Sequence, residues 1–260
     1  MDLNTITPLI LTYNEAPNID RTLQQLTWAS QIVVIDSFST DPTLEILSRY
    51  PSLQVYQRSF DSFAAQCNFG LELISTPWTL SLDADYVLSS GFAEELEQLD
   101  PSFYAGFQAS FRYLVFGAPL RGTLYPPRTV LYRTTFAHYD DDGHAHQVCL
   151  DGPVASLSSP IHHDDRKPLS RWLWAQDRYM VIEAKKLLET PTSELSMGDR
   201  IRKQKVLSPF VILLYCLILK GGILDGWRGW YYAFQRMFAE LLLSLHLIQS
   251  DQNLENKGPG

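Results

Sequence analysis

The sequence predicts an α/β protein built on a mainly parallel sheet. Three observations carry that prediction. Strand-like and helix-like segments alternate through the first half of the chain. One candidate strand, Gln31 to Asp36 (Q-I-V-V-I-D), is an almost unbroken β-branched run, the pattern of a strand covered on both faces. Polar residues gather where the strands end. A βαβ order implies parallel strands with right-handed crossovers, and ligands then sit outside their carboxyl ends.

Taken in order, Thr7 to Thr12 reads as the first strand, and Asn18 to Trp28 as a helix with Ile19, Leu23 and Leu26 at helical spacing. After Gln31 to Asp36, a polar turn from Ser37 to Pro42 leads to a second helix, Thr43 to Tyr50. Leu53 to Gln57 is the third strand, Ser62 to Ile74 the third helix and Trp78 to Leu82 the fourth strand. Beyond Phe103 the pattern changes. Tyr104 to Val115 and Arg128 to Arg133 predict strands of a mixed or antiparallel extension, and Val148 to Leu157 a further strand. His138 to Gln147, rich in Asp, Gly and His, predicts a polar loop. From Ser170 to about Ile248 the chain reads as helical, with a break at Gly221-Gly222, and the polar tail Asp251 to Gly260 is expected to fray.

Bulk properties narrow the classes. At 260 residues, 45% hydrophobic and 19% charged, the chain suits one large α/β domain with an appendage. A formal charge of -8 argues against nucleic acid as the partner. Cys67, Cys149 and Cys216 are far apart and odd in number, so a reducing cytoplasm fits better than a disulfide framework. The start, M-D-L-N-T-I-T-P, lacks the pattern of a signal peptide. Val206 to Leu219 is almost wholly apolar and follows the basic cluster Arg200, Arg202, Lys203 and Lys205. A bilayer crossing needs about 20 apolar residues, so three readings stay open: a buried helix or dimer contact, attachment to a membrane surface, or a span. Trp227, Trp230, Tyr231, Tyr232 and Phe234 suit a headgroup layer or a core.

Chemistry concentrates at Trp78 to Tyr86, W-T-L-S-L-D-A-D-Y. Two aspartates one residue apart at the end of a buried strand can hold magnesium or manganese against a diphosphate, because hard cations take oxygen ligands. D-x-D arises easily by chance, and Asp140-Asp141-Asp142 is a second copy in a polar segment. Position discriminates between them. Asn14, Glu15, Asp36, Asp83 and Asp85 all fall at carboxyl ends of predicted parallel strands.

Together these segments resemble the family 2 glycosyltransferases, closest to the branch that builds lipopolysaccharide cores and related envelope glycans. The matching stretches are P-L-I-L-T-Y-N-E (Pro8 to Glu15), V-V-I-D-S-F-S-T-D (Val33 to Asp41), A-A-Q-C-N-F-G (Ala64 to Gly70) and W-T-L-S-L-D-A-D (Trp78 to Asp85). I-H-H-D-D-R-K-P-L (Ile161 to Leu169) and G-G-I-L-D-G-W-R-G (Gly221 to Gly229) join them. The resemblance implies a GT-A (Rossmann-like) fold with a C-terminal helical extension, a nucleotide-sugar donor, a glycan or lipid-linked saccharide acceptor and a divalent metal. It implies a catalytic domain over 1–169, with a nucleotide-sugar half about 1–100 and an acceptor half about 101–169. A helical extension over 170–250, membrane-associated in one of the three readings above, and a flexible tail over 251–260 would follow. The expected location is cytoplasmic, peripheral to the inner face of the plasma membrane.

Residue by residue, the resemblance puts Thr12, Tyr13, Asn14 and Glu15 in the nucleoside pocket, Asp36 on the base or ribose, and Gln66 and Asn68 near the donor. Asp83 and Asp85 would hold metal and diphosphate, and His163 would complete that site. Relatives usually carry His-Glu shortly before an Asp-Gly, with Glu as the base. This chain reads G-H-A-H-Q-V-C-L-D-G from Gly143 to Gly152, which puts His146, or with one slip Gln147, at the Glu position. A neutral imidazole can act as a base and an amide cannot. Asp142 and Asp164 are the stand-ins. Tyr86, where an acid is common after D-x-D, is a second departure.

Blander readings stand beside these. Asp36 can support the S-F-S-T turn and Glu15 can be a helix-start acid. Trp78 reads as core, and Asp164 to Lys167 can be a surface ion-pair cluster. His144, His146, His162 and His163 lack the paired cysteines or helical spacing of a zinc site. Three functions remain: transfer to an envelope glycan, transfer to a polyprenyl phosphate, and a non-catalytic nucleotide-sugar-binding module.

Overall fold

The computed structural model describes residues 1–142 and 145–255, with side chains described for all of these except 141, 142, 145–147 and 252–255. The chain folds as two compact units, residues 1–119 with 125–167, and residues 120–124 with those from 168 onward.

The first unit follows the predicted alternation: β1 (Ile6–Thr12), α1 (Ile19–Gln24), β2 (Ile32–Asp36), α2 (Thr43–Leu47), β3 (Leu53–Gln57), α3 (Phe63–Glu72) and β4 (Trp78–Asp83). There follow β5 (Tyr86–Leu88), α4 (Phe92–Gln98), β6 (Gly106–Ala109), β7 (Phe111–Val115), β8 (Ala118–Pro119), β9 (Arg128–Arg133), β10 (Ala137–Asp142), β11 (Ala145–Leu150), β12 (Val154–Ser156) and β13 (Ile161–His163). A seven-stranded sheet runs β12-β6-β9-β4-β1-β2-β3. β4, β1, β2 and β3 are parallel, β12 is parallel to β6, and β9 enters antiparallel between β4 and β6. The fold is thus the mixed, mainly parallel α/β class.

Side-chain alternation explains the β-branched run. Ile32 and Val34 join Ile6, Ile10, Leu80 and Leu82 in the core under α1, α2 and α4. Val33 and Ile35 point the other way, onto Ala64, Cys67 and Leu71 of α3. Both faces are covered, so every position of β2 is buried. Trp78 sits in the core beside Phe107, centroids 5.9 Å apart. Ser62 starts α3 by accepting the Ala65 N–H at 3.1 Å.

The structure corrects three local expectations. His138 to Gln147 is not a loop, because β10 and β11 pair as an antiparallel hairpin with Asp141 opposite His146. Asn68 secures its base by donating to the Tyr139 carbonyl and accepting the Tyr139 N–H, both at 2.9 Å. Val148 to Leu157 breaks at Gly152 (φ 140°) into the end of β11 and β12. Tyr104 to Val115 likewise divides into β6 and β7.

The second unit holds α5 (Leu169–Glu189), α6 (Met197–Lys203), α7 (Ser208–Leu214) and α8 (Trp227–Glu255). Its core joins Met180, Ala184 and Leu187 of α5 to Ala239, Leu243 and Leu247 of α8. Arg202 lies between Glu183 (2.6 Å) and Glu240 (3.0 Å). The apolar run is not a buried helix. α7 continues as a π-helical turn, Tyr215–Leu219, that buries Cys216 and Leu217 but exposes Phe210, Leu214, Ile218 and Leu219. Among the described residues no helix is long and apolar enough to cross a membrane.

Behind that turn the chain needs glycine twice. Gly221 is left-handed (φ 72°). A Cβ on Gly229 would lie 1.8 Å from the Gly222 carbonyl oxygen, so α8 packs directly on the backbone of the 3-10 turn Gly222–Asp225. Gly229→Ala should cost about 1–3 kcal/mol in chemical denaturation. An unchanged midpoint would show that the turn yields freely.

Candidate active site

β1 and β2 end side by side, with Thr12 paired to Asp36. Asp36 is fully buried, and its carboxylate accepts four hydrogen bonds. They come from Thr12 Oγ1 (3.0 Å), Ser39 Oγ (2.5 Å), the Ser39 N–H (2.9 Å) and Gln57 Nε2 (3.2 Å). A buried carboxylate demands such partners. Here the supporting reading of Asp36 prevails, since its side chain holds the Ser37–Asp41 loop and faces no solvent.

The loop after β1 interlocks with the loop after β2. Asn14 is left-handed (φ 57°), a conformation Asn tolerates better than most residues. Its N–H donates to Ser39 Oγ (2.8 Å), while its side-chain carbonyl accepts the N–H groups of Thr40 (2.7 Å) and Asp41 (3.3 Å). The Glu15 N–H donates to Thr43 Oγ1 at 2.8 Å. Tyr13, beside them, is 39% exposed. Gln66 is buried on α3, where its amide donates to Ser37 Oγ and to the Arg58 and Ser59 carbonyls, each at 3.2 Å. Asn68 has both ends of its amide engaged with the Tyr139 backbone.

Asp83 closes β4, and Asp85 follows in the turn to β5. β13 pairs with β5 so that His163 stands opposite Tyr86, which brings its imidazole beside Asp85. His163 Nε2 lies 3.2 Å from Asp85 Oδ2. Burial opposes the His163 imidazolium, but Asp85 outweighs it and raises the pKa. Burial likewise opposes the Asp85 carboxylate, yet His163 and then Lys167 hold its pKa below the usual range. Rings of Tyr86, Tyr113 and Tyr125 surround the imidazole, with centroids 4.8 to 5.5 Å away. The Tyr86 and Tyr125 hydroxyls are hydrogen-bonded to each other, which makes Tyr86 part of this box.

Lys167 is the residue that sequence reasoning missed. Its ammonium reaches Glu15 Oε1 at 2.6 Å and Asp165 Oδ1 at 3.7 Å. Burial works against that charge, but Asp85, Glu15 and Asp165 together raise its pKa. The D-D-R-K string is therefore not a surface cluster: Asp164 is 3% exposed. Its place directly after His163 in the I-H-H-D-D-R-K-P-L block was the available signal.

At Glu15 burial dominates and pushes the carboxyl from 4.5 up to about 7, with Lys167 opposing and Asp85 adding to the rise. The folded chain thus binds this proton more tightly than the unfolded chain. That contribution to stability is full below about pH 4.5 and is lost as pH rises through about 7. Between pH 6 and pH 8 the wild type should lose about 1 kcal/mol relative to Glu15→Gln in thermal unfolding. Parallel curves for the two proteins would refute the assignment.

Asp164 does not fit the role of base. It follows His163 and points with His162 to the other side of β13, along a groove of about 260 Å³ shared with Arg21, Gln24 and Arg166. Arg21 Nη1 (2.5 Å) and Arg166 Nη2 (2.8 Å) both bind its Oδ2. A buried carboxylate between two guanidinium groups is a structural ion pair. The side chains of Asp142 and His146 lie outside the described residues, and their backbones belong to the β10–β11 hairpin.

The donor set fits a divalent cation by its chemistry. Asp85 Oδ1 and His163 Nδ1 are buried without a hydrogen-bond partner, and Asp83 adds a second carboxylate at the same strand end. Among the described residues, three ligand atoms lie within 4.8 Å of one another only at His138, Asp140 and Cys149 on the exposed hairpin. One Asp140 oxygen explains that cluster, since it accepts from Cys149 Sγ (3.3 Å) and lies 3.6 Å from His138 Nε2.

The family model described as Glycosyl transferase family 2 matches residues 9–116. The lipopolysaccharide core biosynthesis glycosyltransferase LpsC of Rhizobium meliloti is 23% identical over 96% of this chain and 96% of its own length. A glycosyltransferase of Rickettsia bellii is 29% identical over 52% of this chain and 48% of its own length. The crystal structure of residues 1–349 of S. aureus TarS in complex with UDP-GlcNAc aligns at TM-score 0.49 and 15% identity, over 95% of this chain and 92% of that one. The matched segment contains Asn14, Glu15, Asp36, Asp83 and Asp85, and over it the chain is similar to the family 2 glycosyltransferases.

Proposed function

We propose that the chain transfers a sugar from a nucleotide-diphosphate donor to an envelope glycan or lipid-linked saccharide, with inversion and with a divalent cation, magnesium or manganese. The observation that carries this reading is the acidic pair at the carboxyl end of β4, next to the interlocked loops after β1 and β2. Likeness to LpsC along nearly the full length of both chains supports the acceptor class. In this reading residues up to about 169 are the catalytic domain, whose first half binds the donor and whose second half meets the acceptor. The enzyme would work in the cytoplasm at the inner face of the plasma membrane.

Asp83, Asp85 and His163 would hold the cation, which supplies charge neutralisation for the departing nucleoside diphosphate. The chain's own residues do the rest. Thr12, Tyr13, Asn14 and Glu15 line the nucleoside side, with Asp36 and Gln66 holding the loops that shape it. Asn68 acts at one remove by fixing the hairpin. Lys167 keeps Glu15 oriented and places positive charge in the field of Asp85. The attacking hydroxyl needs a base. His146 and Asp142, on facing strands of the hairpin, are the candidates that stand once Asp164 is set aside.

The test is a screen of nucleoside diphosphates and nucleotide sugars with manganese, since a ligand that binds only the folded state raises its melting temperature. One nucleotide should give a metal-dependent shift. Release of that nucleoside diphosphate only on addition of a lipid-linked saccharide would establish transfer and exclude a binding module. Release with polyprenyl phosphate instead would assign the other acceptor. No shift with any nucleotide would overturn the reading.

A further inference from the structure

The helical unit presents an apolar surface that the catalytic reading leaves unused. Along α7 and the π-helical turn after it, Phe210, Leu214, Ile218 and Leu219 are 56 to 74% exposed. The chain reverses at Gly221, and Ile223 and Leu224 add exposures of 55 and 66% at the tip. Trp227 follows at 57% as α8 begins. Side chains of this size seldom gather on a surface that faces only water.

Charge points to the occupant. No acidic residue lies between Val206 and Leu224. The next one, Asp225, is nearly buried and held by Arg121 at 3.3 Å. Lys220 lies over the Tyr215 ring (5.7 Å) and Arg228 over the Trp227 ring (4.7 Å), so cations and aromatic rings together flank the apolar tip. Aromatic rings beside basic side chains at the edge of an apolar patch suit the headgroup layer, where rings are half wet and cations meet phosphate. A second copy of the chain would be a poor occupant, because its identical patch would bring Lys220 and Arg228 toward their own equivalents. A crossing is excluded for the described helices by their length and polarity.

We propose that the turn between α7 and α8 inserts into the headgroup region of an anionic lipid bilayer, with Ile218, Leu219, Ile223 and Leu224 entering first. Lys220 and Arg228 then contact lipid phosphates, and the helices stay in the interface. This surface specifies the contact behind the membrane location proposed above and rests on that reading.

The experiment is co-sedimentation of the full chain with vesicles of phosphatidylcholine alone or mixed with phosphatidylglycerol, without any donor. Binding should require phosphatidylglycerol and weaken with salt. The exposed pair Leu219→Ser and Leu224→Ser should reduce partitioning on the order of tenfold, with an unchanged melting temperature. Lys220→Gln should reduce the preference for phosphatidylglycerol. Equal sedimentation of the wild type and the Leu219→Ser/Leu224→Ser variant would overturn the proposal. So would absence of vesicle binding, or a concentration-dependent dimer that this variant abolishes while vesicles are ignored. Vesicle binding without nucleotide binding would sink the enzymatic reading alone, and transfer to a detergent-solubilised acceptor without vesicle binding would sink this one alone.

Discussion

Asp83→Asn is expected to lower transfer about 10²–10³-fold, equivalent to about 3–4 kcal/mol, while the melting temperature stays near that of wild type. Asp83 is partly exposed at the end of β4, and the amide keeps its shape while removing its charge. Asp85→Asn should lose as much activity and, unlike its neighbour, also stability. Asp85 is the anionic partner of buried His163 at 3.2 Å and lies in the field that holds the Lys167 ammonium. Steady-state rates with saturating manganese, set beside thermal unfolding of both variants, separate the two effects. Undiminished turnover in Asp83→Asn would remove the acidic pair from the chemistry.

Asp164→Ala should act in the opposite way, mainly on stability. Removing it leaves Arg21 and Arg166 facing each other in a partly buried site, a loss of about 3–5 kcal/mol for one broken buried pair. Turnover per folded molecule should fall only a few-fold. A general base would instead cost about 10²–10⁴-fold in rate. A stable Asp164→Ala variant with that rate loss would restore Asp164 as the base and refute the ion-pair assignment.

The contrast between these aspartates shows which parts of the site were legible in the sequence. Strand ends were readable because β1, β2 and β4 are short, apolar and punctuated, so Asn14, Glu15, Asp36, Asp83 and Asp85 could be placed by alternation alone. The β4–β5 turn and the β13–β5 register could not be read that way. They depend on pairing between residues far apart in the chain, and that pairing decides that His163 meets Asp85 while Asp164 turns to Arg21. Lys167 escaped notice for the same reason, since four charged residues in a row look solvated until the fold buries Asp164 and half-buries Lys167. The hairpin β10–β11 was hidden by composition. Its polar residues lack a strand's apolar alternation, and its base is held by the Asn68 side chain, which bonds the backbone of Tyr139, 71 residues away in the chain. The apolar run after Val206 announced its hydrophobicity in the sequence but not which side of α7 would be left uncovered.

The clasp formed by Asn14, Asp36 and Ser39 bears on kinetics. Those loops are already cross-linked by hydrogen bonds in the free chain, so under the proposed function a nucleotide arriving there would find a finished mould and spend little conformational entropy on shaping it. Encounter should then be limited by diffusion and electrostatic guidance, with residence time set by how well each base fills the mould.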